Sequence, residues 1–504
     1  MDTGSISAAQ PTRYRAWADA KEFQMTRMKV DVAIIGAGSA GMTAYRAAKA
    51  HTDSVVVIEG GAYGTTCARV GCMPSKLLIS AANAAHALKM APSFGVNPGA
   101  IEVDGRKVMD RVRSERDRFV GFVVETVEGW PEAHRLRGTA KFLSSHELLV
   151  GSSTIVQADR IVIATGSSPC VPDGWRETLG DKLLINDDVF EWSDLPGSVA
   201  VVGTGVIGLE LAQALHRLGV KVRLYGRSRA IGPLTDPTVA AEATRIFSEE
   251  IPVSLGVTIS PTLTPDGRVS VISGDEHGVR SAEVFDYLIV ATGRRPNMSG
   301  LDLEVAGIGL DGSGQPVVDR TTGQSTRSHI FIAGDANGMT EILHEAADDG
   351  RIAGDNAGRH PIVRPRPRRA PLGIVFSDPQ IAMVGATFQQ LKAGGPAFEV
   401  GEASFADQGR SRVMLENRGM IRVYADTATG IFLGAEMVGP AAEHIGHLLS
   451  WSVQRRDTVQ QMIDSPFYHP VIEEGVRTAL RHLQRKLVLP PQAPESCLDC
   501  VPGS

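Results

Sequence analysis

No run of apolar residues in this chain approaches the roughly 20 that a membrane-spanning helix requires, so no membrane partner is expected. The N-terminal stretch from Met1 to Ser7 has neither a basic segment nor an apolar one and does not read as a secretory leader. Cysteine is scarce. Five in 504 residues are too few for a structural disulfide framework. The expectation is therefore a reducing, cytoplasmic setting, in which any disulfide is catalytic. An excess of charge of one sign is also missing. A formal net charge of −6 gives no reason to expect nucleic acid as a partner. The local exception, Arg364-Pro-Arg-Pro-Arg-Arg369, reads as an exposed, stiff linker.

What remains is an ordinary globular balance, 43% hydrophobic and 21% charged. The length suggests about two to four domains. Residues 1 to about 27 show no strong pattern and read as an extension. From Val30 the chain reads strand, glycine-rich turn, helix, strand, with the second strand at Val55 to Ile58. The same unit recurs at Val199 to Val202, Gly203 to Gly208, a helix to Leu218, and a strand at Val220 to Tyr225. Ile161 to Gly166 and Leu288 to Gly293 echo each other, each ending Ala-Thr-Gly, and Ile330 to Asp335 is a third strand-to-glycine segment. Such repetition predicts two nucleotide-binding domains, one inserted into the other. Beyond the basic linker the pattern changes. Strand-like pieces at Gly419–Tyr424 and Ile431–Val438 precede helices expected from Ala441 and from Pro470, an α+β domain of its own.

Gly36-x-Gly38-x-x-Gly41 follows a strand and opens a helix, so that the backbone can approach a pyrophosphate at the helix N-terminus. Glu59 ends the next strand, where a carboxylate accepts hydrogen bonds from ribose hydroxyls. The second fingerprint is Gly203-x-Gly205-x-x-Gly208. Its position equivalent to Glu59 is Gly226, followed by Arg227 and Arg229. With no acid to claim a 2′-hydroxyl, and arginines able to pair a 2′-phosphate, this site is expected to favour NADP(H), with NAD(H) the other admissible nucleotide.

Between Glu59 and the next helix lie Cys67 and Cys72, with Gly71 between them. That spacing allows the Cα atoms to reach the roughly 4.4–6.8 Å that a disulfide needs. A helical stretch is expected over Leu77 to Leu88, and a helix N-terminus makes a nearby thiol more acidic. The pair therefore reads as redox-active. Far along the chain, His469 stands before Pro470, with Glu474 placed to orient its imidazole. A His–carboxylate pair suits a base that takes a thiol proton near neutral pH. Cys170 reads as a structural thiol.

Gly64-Thr-Thr-Cys67-Ala-Arg-Val-Gly-Cys72-Met-Pro-Ser-Lys76 resembles the active-site signature of the pyridine nucleotide-disulfide oxidoreductases. That family includes dihydrolipoamide dehydrogenase, glutathione reductase, high-molecular-weight thioredoxin reductase and mercuric reductase. The resemblance runs from about Lys29 to Lys486 with the motifs in family order: Ala164-Thr165-Gly166, the second fingerprint ending at Glu210, Ala291-Thr-Gly293-Arg294-Arg-Pro296, Ala333-Gly334-Asp335, and His469-Pro470 with Glu474. It implies an α/β fold of two nested doubly wound, Rossmann-like domains and a C-terminal α+β dimerisation domain. The implied division is an extension at 1–27, an FAD domain at 28–166 and 292–363, an NAD(P) domain at 167–291, an interface domain at 370–487 and a tail at 488–504.

The resemblance also implies roles. FAD takes the first site, with Asp335 on its ribityl chain, and Thr66, Thr165, Gly166, Gly293, Arg294 and Gly334 are further cofactor-binding positions. Cys72 is the flavin-proximal, charge-transfer thiol, and Cys67 the interchange thiol that meets substrate. Lys76 pairs with Glu210 beside the flavin. His469 and Glu474 reach the cysteines of the second subunit, which implies a homodimer with shared active sites. Pro-Ser-Lys after Cys72 and the retained His469 lean towards dihydrolipoamide dehydrogenase, with any lipoyl group arriving on a partner protein.

Two features depart from that pattern: the missing acid at Gly226, and Cys497-x-x-Cys500 near the C-terminus. They keep open an NADPH-driven reductase of another disulfide or of mercuric ion that uses the C-terminal pair. A flavin-binding redox sensor is the reading of a different class, against which the complete thiol–His–Glu set argues.

Overall fold

The computed structural model describes residues 25–488. Cys497 and Cys500 lie outside them, as do the first 24 residues. The chain is mixed α/β, with two parallel-centred sheets, a third, five-stranded antiparallel one, and two smaller antiparallel sheets.

The first sheet has seven strands. Thr26–Ile35 lies in the middle, parallel to Val55–Glu59 on one side and to Thr154–Ile163 on the other. Ile330–Ile332, from much later in the chain, also pairs in parallel with Thr154–Ile163. Val32, Ile34, Val57, Val162 and Phe331 are almost fully buried here, as expected of strands covered on both faces. The opening strand starts at Thr26, four residues ahead of Val30, because Thr26–Lys29 pair with Thr154–Gln157. That extra stretch is largely exposed and has no hydrophobic alternation to announce it. The helix Leu343–Arg359 presses onto the helix Ser39–Lys49. A Cβ at Gly350 would stand 2.1 Å from the Ala40 carbonyl oxygen, so the two backbones approach as closely as they do only through small residues.

The second sheet is parallel throughout: Val253–Leu255, Lys221–Gly226, Ser198–Val202, Tyr287–Val290, Leu183–Ile185. A three-stranded antiparallel sheet over Thr258–Phe285 adjoins it in sequence. A two-stranded ribbon, Ser167–Pro169 against Arg294–Pro296, is where the chain leaves the first sheet's strands and returns. One dinucleotide-type unit is thus nested within the other.

The third sheet holds Leu372–Val375, Gln380–Gly385, Phe432–Gly439, Met420–Asp426 and Phe398–Ser404, all antiparallel. The helices Ala442–Arg455 and Glu474–Gln484 cover it around Phe405, Ile421, Ile445 and Leu480. The last helix begins at Glu474, not at Pro470. The Val471 N–H bonds to the Glu474 carboxylate at 3.2 Å, and residues 472–473 form a turn ahead of the helix.

The arginine segment is largely exposed, as its composition suggests, but it is not a free linker. Arg366 bonds Asp355 at 3.0 Å, Arg369 meets Asp348 at 2.8 Å, and Arg368 pairs with both Glu345 and Asp349. These acids lie on the helix Leu343–Arg359. Their spacing along one helix supplies partners that a reading of the linker alone cannot see. The segment is therefore a strap that ties the third sheet's domain to a helix of the first.

Candidate active site

The two fingerprints fold almost identically. Gly36 has φ +107° and Gly203 φ +114°. A Cβ on Gly36 would lie 2.3 Å from the Ala164 carbonyl oxygen, and one on Gly203 2.1 Å from that of Ala291. The repeated Ala-Thr-Gly segments are thus the walls against which the two glycine turns press. The N–H of Gly36 donates to the Ile58 carbonyl at 2.8 Å, and that of Gly203 to the Tyr225 carbonyl at 2.8 Å. Glu59 and Gly226 are therefore equivalent in space as well as in sequence.

Glu59 is held in place. Its carboxylate accepts from the Ala37 N–H and the Gly61 N–H, both at 2.7 Å. Each oxygen keeps a further lone pair, so the group can still receive ribose hydroxyls. The open glycine turn at the start of the helix Ser39–Lys49 and this fixed acid suit a flavin dinucleotide.

A cleft of about 2340 Å³ joins both sites. Gly36, Gly38, Glu59, Thr66, Cys67, Cys72, Lys76, Thr165, Gly166, Gly203, Gly205, Glu210, Arg227, Gly293, Arg294 and Asp335 all line it. Gly41 and Gly208 sit behind the turns, where a Cβ would lie 1.8 Å from the carbonyl oxygens of Gly36 and Gly203 respectively. Gly334 is buried beneath the surface of the cleft and donates to Asp349 at 3.3 Å. Arg229 is turned away and pairs with Glu276. Of the two arginines expected at the second nucleotide, the cleft receives Arg227 together with Ser228.

Cys67 lies in the short helix Thr66–Val70, and Cys72 is the first residue of the helix Cys72–Met90. That helix starts five residues ahead of the expected Leu77. Pro74 is tolerated in a first turn, where its missing N–H costs nothing. The Thr65 hydroxyl accepts from the Ala68 N–H at 3.2 Å and caps the shorter helix.

The cysteines differ in acidity. The Cys67 thiol donates to the Cys72 sulfur, and this hydrogen bond is the largest influence on both. It brings Cys72 from the ordinary 9.0 down to about 7, against burial and with help from the Lys76 charge. The same bond, reinforced by burial, pushes Cys67 strongly upward. The reduced pair thus holds one proton on Cys67 and a negative charge on Cys72 at the end of a helix that favours it.

The sign of the pH dependence follows. Between about pH 7 and 9 Cys72 is a thiolate where an ordinary thiol is protonated, and it gains its proton as pH falls below about 7. In a Cys67→Ser variant the hydroxyl still donates, so alkylation of Cys72 is expected to rise through about the same pH. In Cys67→Ala the donor is gone and the midpoint should move up towards the ordinary value. Alkylation rates followed by mass spectrometry check this, and equal midpoints in the two variants would contradict it.

Lys76, one helical turn after Cys72, bonds Glu210 at 2.7 Å. Glu210 is 4% exposed, in the helix Val206–Arg217 of the other dinucleotide unit. Its second oxygen accepts the Phe376 N–H at 2.9 Å, and the Phe376 ring lies 4.5 Å from the Lys76 ammonium. Phe376 was not a candidate from the sequence. It follows the strand Leu372–Val375 of the third domain, and no local pattern links it to Lys76. Ser167 was missed too. Its hydroxyl donates to Asp335 at 2.7 Å and accepts from Arg294 at 2.8 Å, joining two expected residues. Its position next to Ala164-Thr-Gly166 was the available signal.

His469 Nδ1 lies 3.0 and 3.2 Å from the two Glu474 oxygens. The His469 side chain is 80% exposed, and neither residue lines the chain's own cleft. One chain therefore does not bring this dyad to its own cysteines. Tyr468, Leu448 and Trp451 of the same domain also expose apolar surface.

Two nested dinucleotide folds around a thiol pair of unequal acidity define a nucleotide-linked thiol–disulfide oxidoreductase. Residues 30–350 match the pyridine nucleotide-disulphide oxidoreductase model, and residues 372–480 that family's dimerisation domain. The chain belongs to the pyridine nucleotide-disulphide oxidoreductase family, whose members use FAD and NAD(P). It is similar to dihydrolipoyl dehydrogenase of Bacillus subtilis, 31% identical over 465 residues, covering 89% of this chain and 97% of the relative. It is also similar to mercuric reductase of Acidithiobacillus ferrooxidans, 30% identical over 478 residues, covering 91% and 83%. Among solved structures, LpdA of Mycobacterium tuberculosis superposes with a TM-score of 0.75 at 26% identity, covering 91% of this chain and 99% of that one. The HOCl-induced flavoprotein disulfide reductase RclA of Escherichia coli gives 0.75 at 25%, covering 91% and 100%. The chain is thus an NAD(P)-disulfide oxidoreductase of the lipoamide dehydrogenase type.

Proposed function

We propose that this enzyme exchanges electrons between a dihydrolipoamide-like dithiol and NADP(H). The observation that carries the reading is the Cys67–Cys72 pair opening on the cleft that joins both nucleotide sites. Bound FAD would supply two-electron exchange between the nicotinamide and the disulfide. Gly36, Gly38, Glu59, Thr66, Thr165, Gly166 and Asp335 would hold it, with Lys76 and Glu210 beside its reactive end.

The chain's own groups account for the thiol chemistry. A substrate thiolate attacks the Cys67 sulfur of the disulfide and releases Cys72 as a thiolate. The second substrate thiol then displaces Cys67, leaving a substrate disulfide and the reduced pair. The electrons lost by the dithiol are the two gained by the cysteines. His469 of a second chain takes the thiol proton, and Glu474 holds its ring. The dimerisation domain suggests a homodimer, and the exposure of His469 outside its own cleft supports a shared site. Such a pair, reduced and reoxidised each turnover, suits a reducing, cytoplasmic compartment. No helix among the described residues is long and apolar enough to cross a membrane.

Gly226 and Arg227 favour NADP(H). Steady-state kinetics with both nucleotides is expected to give a higher kcat/KM for NADPH. Arg227→Ala should lower it by about tenfold, the loss of one charged hydrogen bond, with little change for NADH. A wild type that uses NADH equally well would refute the preference.

The similarity to mercuric reductase keeps a second reading, an NADPH-driven reductase of mercuric ion or of another disulfide. Anaerobic reduction with NADPH followed by trials of lipoamide, small disulfides and Hg(II) separates the two. Turnover of lipoamide supports the first reading, and turnover of Hg(II) or another disulfide alone overturns it.

A further inference from the structure

The two fingerprints are an internal control for each other, and among their differences is a pair of facing positions, Ala37 with Glu59 against Thr204 with Gly226. In the first, Ala37 is the residue after the first glycine, and its N–H donates to the Glu59 carboxylate at 2.7 Å. In the second the equivalent residues are Thr204 and Gly226. A Cβ built on Gly226 would lie 2.5 Å from Thr204 Cγ2, 3.2 Å from its Oγ1 and 3.4 Å from Leu255 Cδ2. The first of these is well inside van der Waals contact.

Thr204 is not free to yield. It is 8% exposed, and its hydroxyl donates to the Ala230 carbonyl at 3.1 Å. Its own carbonyl accepts the Gly232 N–H at 2.8 Å. A β-branched side chain has few rotamers, and turning the methyl away would break the hydroxyl's bond. Thr204 therefore fills the place of an acid's first carbon and pins the loop that presents Arg227 and Ser228 to the cleft.

We infer that Thr204 is a specificity-determining residue. By steric exclusion at position 226 and by anchoring the 227–232 loop, it sets the second site against a nucleotide with a free 2′-hydroxyl and in favour of one with a 2′-phosphate. This rests on the reading of the second fingerprint as the NADP(H) site. It adds that position 226 alone does not control the choice.

The test measures binding of adenosine 2′,5′-bisphosphate and of 5′-AMP to the FAD-loaded enzyme by calorimetry, with thermal melting of each variant. Gly226→Glu alone should lower the melting temperature and weaken both probes. Thr204→Ala with Gly226→Glu should recover the melting temperature and shift the ratio of affinities towards 5′-AMP by about tenfold or more. Thr204→Ala alone, which loses the hydroxyl's anchor on the loop, should still favour the bisphosphate but by a smaller ratio than wild type. Recovery of folding by the double variant, where the single one fails to fold, also supports the inference. A single Gly226→Glu variant that already favours 5′-AMP as strongly as the double one overturns it. So does a double variant that recovers neither stability nor 5′-AMP binding. A wild type that prefers 5′-AMP to the bisphosphate refutes the NADP(H) reading instead. The dependence of Gly226→Glu on Thr204 is then still read from the melting temperatures.

Discussion

Replacing Cys72 by serine is expected to lower dithiol-coupled turnover by about 10³-fold or more. A serine oxygen cannot form the disulfide, so the two electrons have no resting place on the protein. Nor can Cys67 act alone. In the native pair its proton is held because its thiol donates to Cys72 and is half-buried, so its acidity is low. Serine at 72 leaves that burial in place, and a protonated thiol is a poor nucleophile. FAD content, read from flavin absorbance, should be retained, since the glycine turn and Glu59 lie on other elements. Nearly wild-type lipoamide turnover by this variant would remove the pair from the mechanism.

The second large effect is expected at His469. Glu474 sits against Nδ1 with both oxygens, so it accepts the Nδ1 proton and leaves Nε2 as the base. Glutamine can neither take nor return a proton there, and His469→Gln should cost about 10²–10⁴-fold in thiol-coupled kcat. Nucleotide and flavin binding should survive, because the side chain lies away from the cleft of its own chain. Mixing this variant with Cys67→Ser adds a sharper test. If the site is shared between chains, a mixed dimer contains one site with both defects and one with neither. Denaturing and refolding the two inactive proteins together should then regain a measurable fraction of activity. If His469 served its own chain, every site would keep one defect and nothing would return.

Much of the site was legible in order along the chain. Cys67, Cys72 and Lys76 fall within one short segment, and their chemistry is local: a thiol at a helix start and an amine one turn on. Gly36 and Gly203 were equally plain, since only glycine tolerates a positive φ with a carbonyl 2.3 or 2.1 Å from its missing Cβ. Glu210 was named by resemblance, but its burial and its bond to Lys76 depend on two dinucleotide units meeting face to face. Phe376, whose N–H and ring complete that pair, carries no local mark at all. The arginine strap shows the limit most clearly. Read alone, Arg364 to Arg369 is a charged, proline-rich linker. Its acids lie on the helix before it, at positions that look like an ordinary solvated face. Arg229 pairs at the surface with Glu276, from the turn before Arg280–Phe285, a partner that the sequence around Arg227 does not announce.

The sequence by itself determined the thiol pair, the two glycine turns with their repeated walls, and the presence of an acid at 59 but none at 226. Each follows from residues close together in the chain, where spacing and backbone sterics decide. Only the tertiary structure decided which charges are paired, that Arg227 rather than Arg229 lines the cleft, and that Thr204 occupies the space a side chain at 226 would need. Those outcomes depend on segments distant in sequence competing for the same few ångströms, and no local pattern records who arrives first.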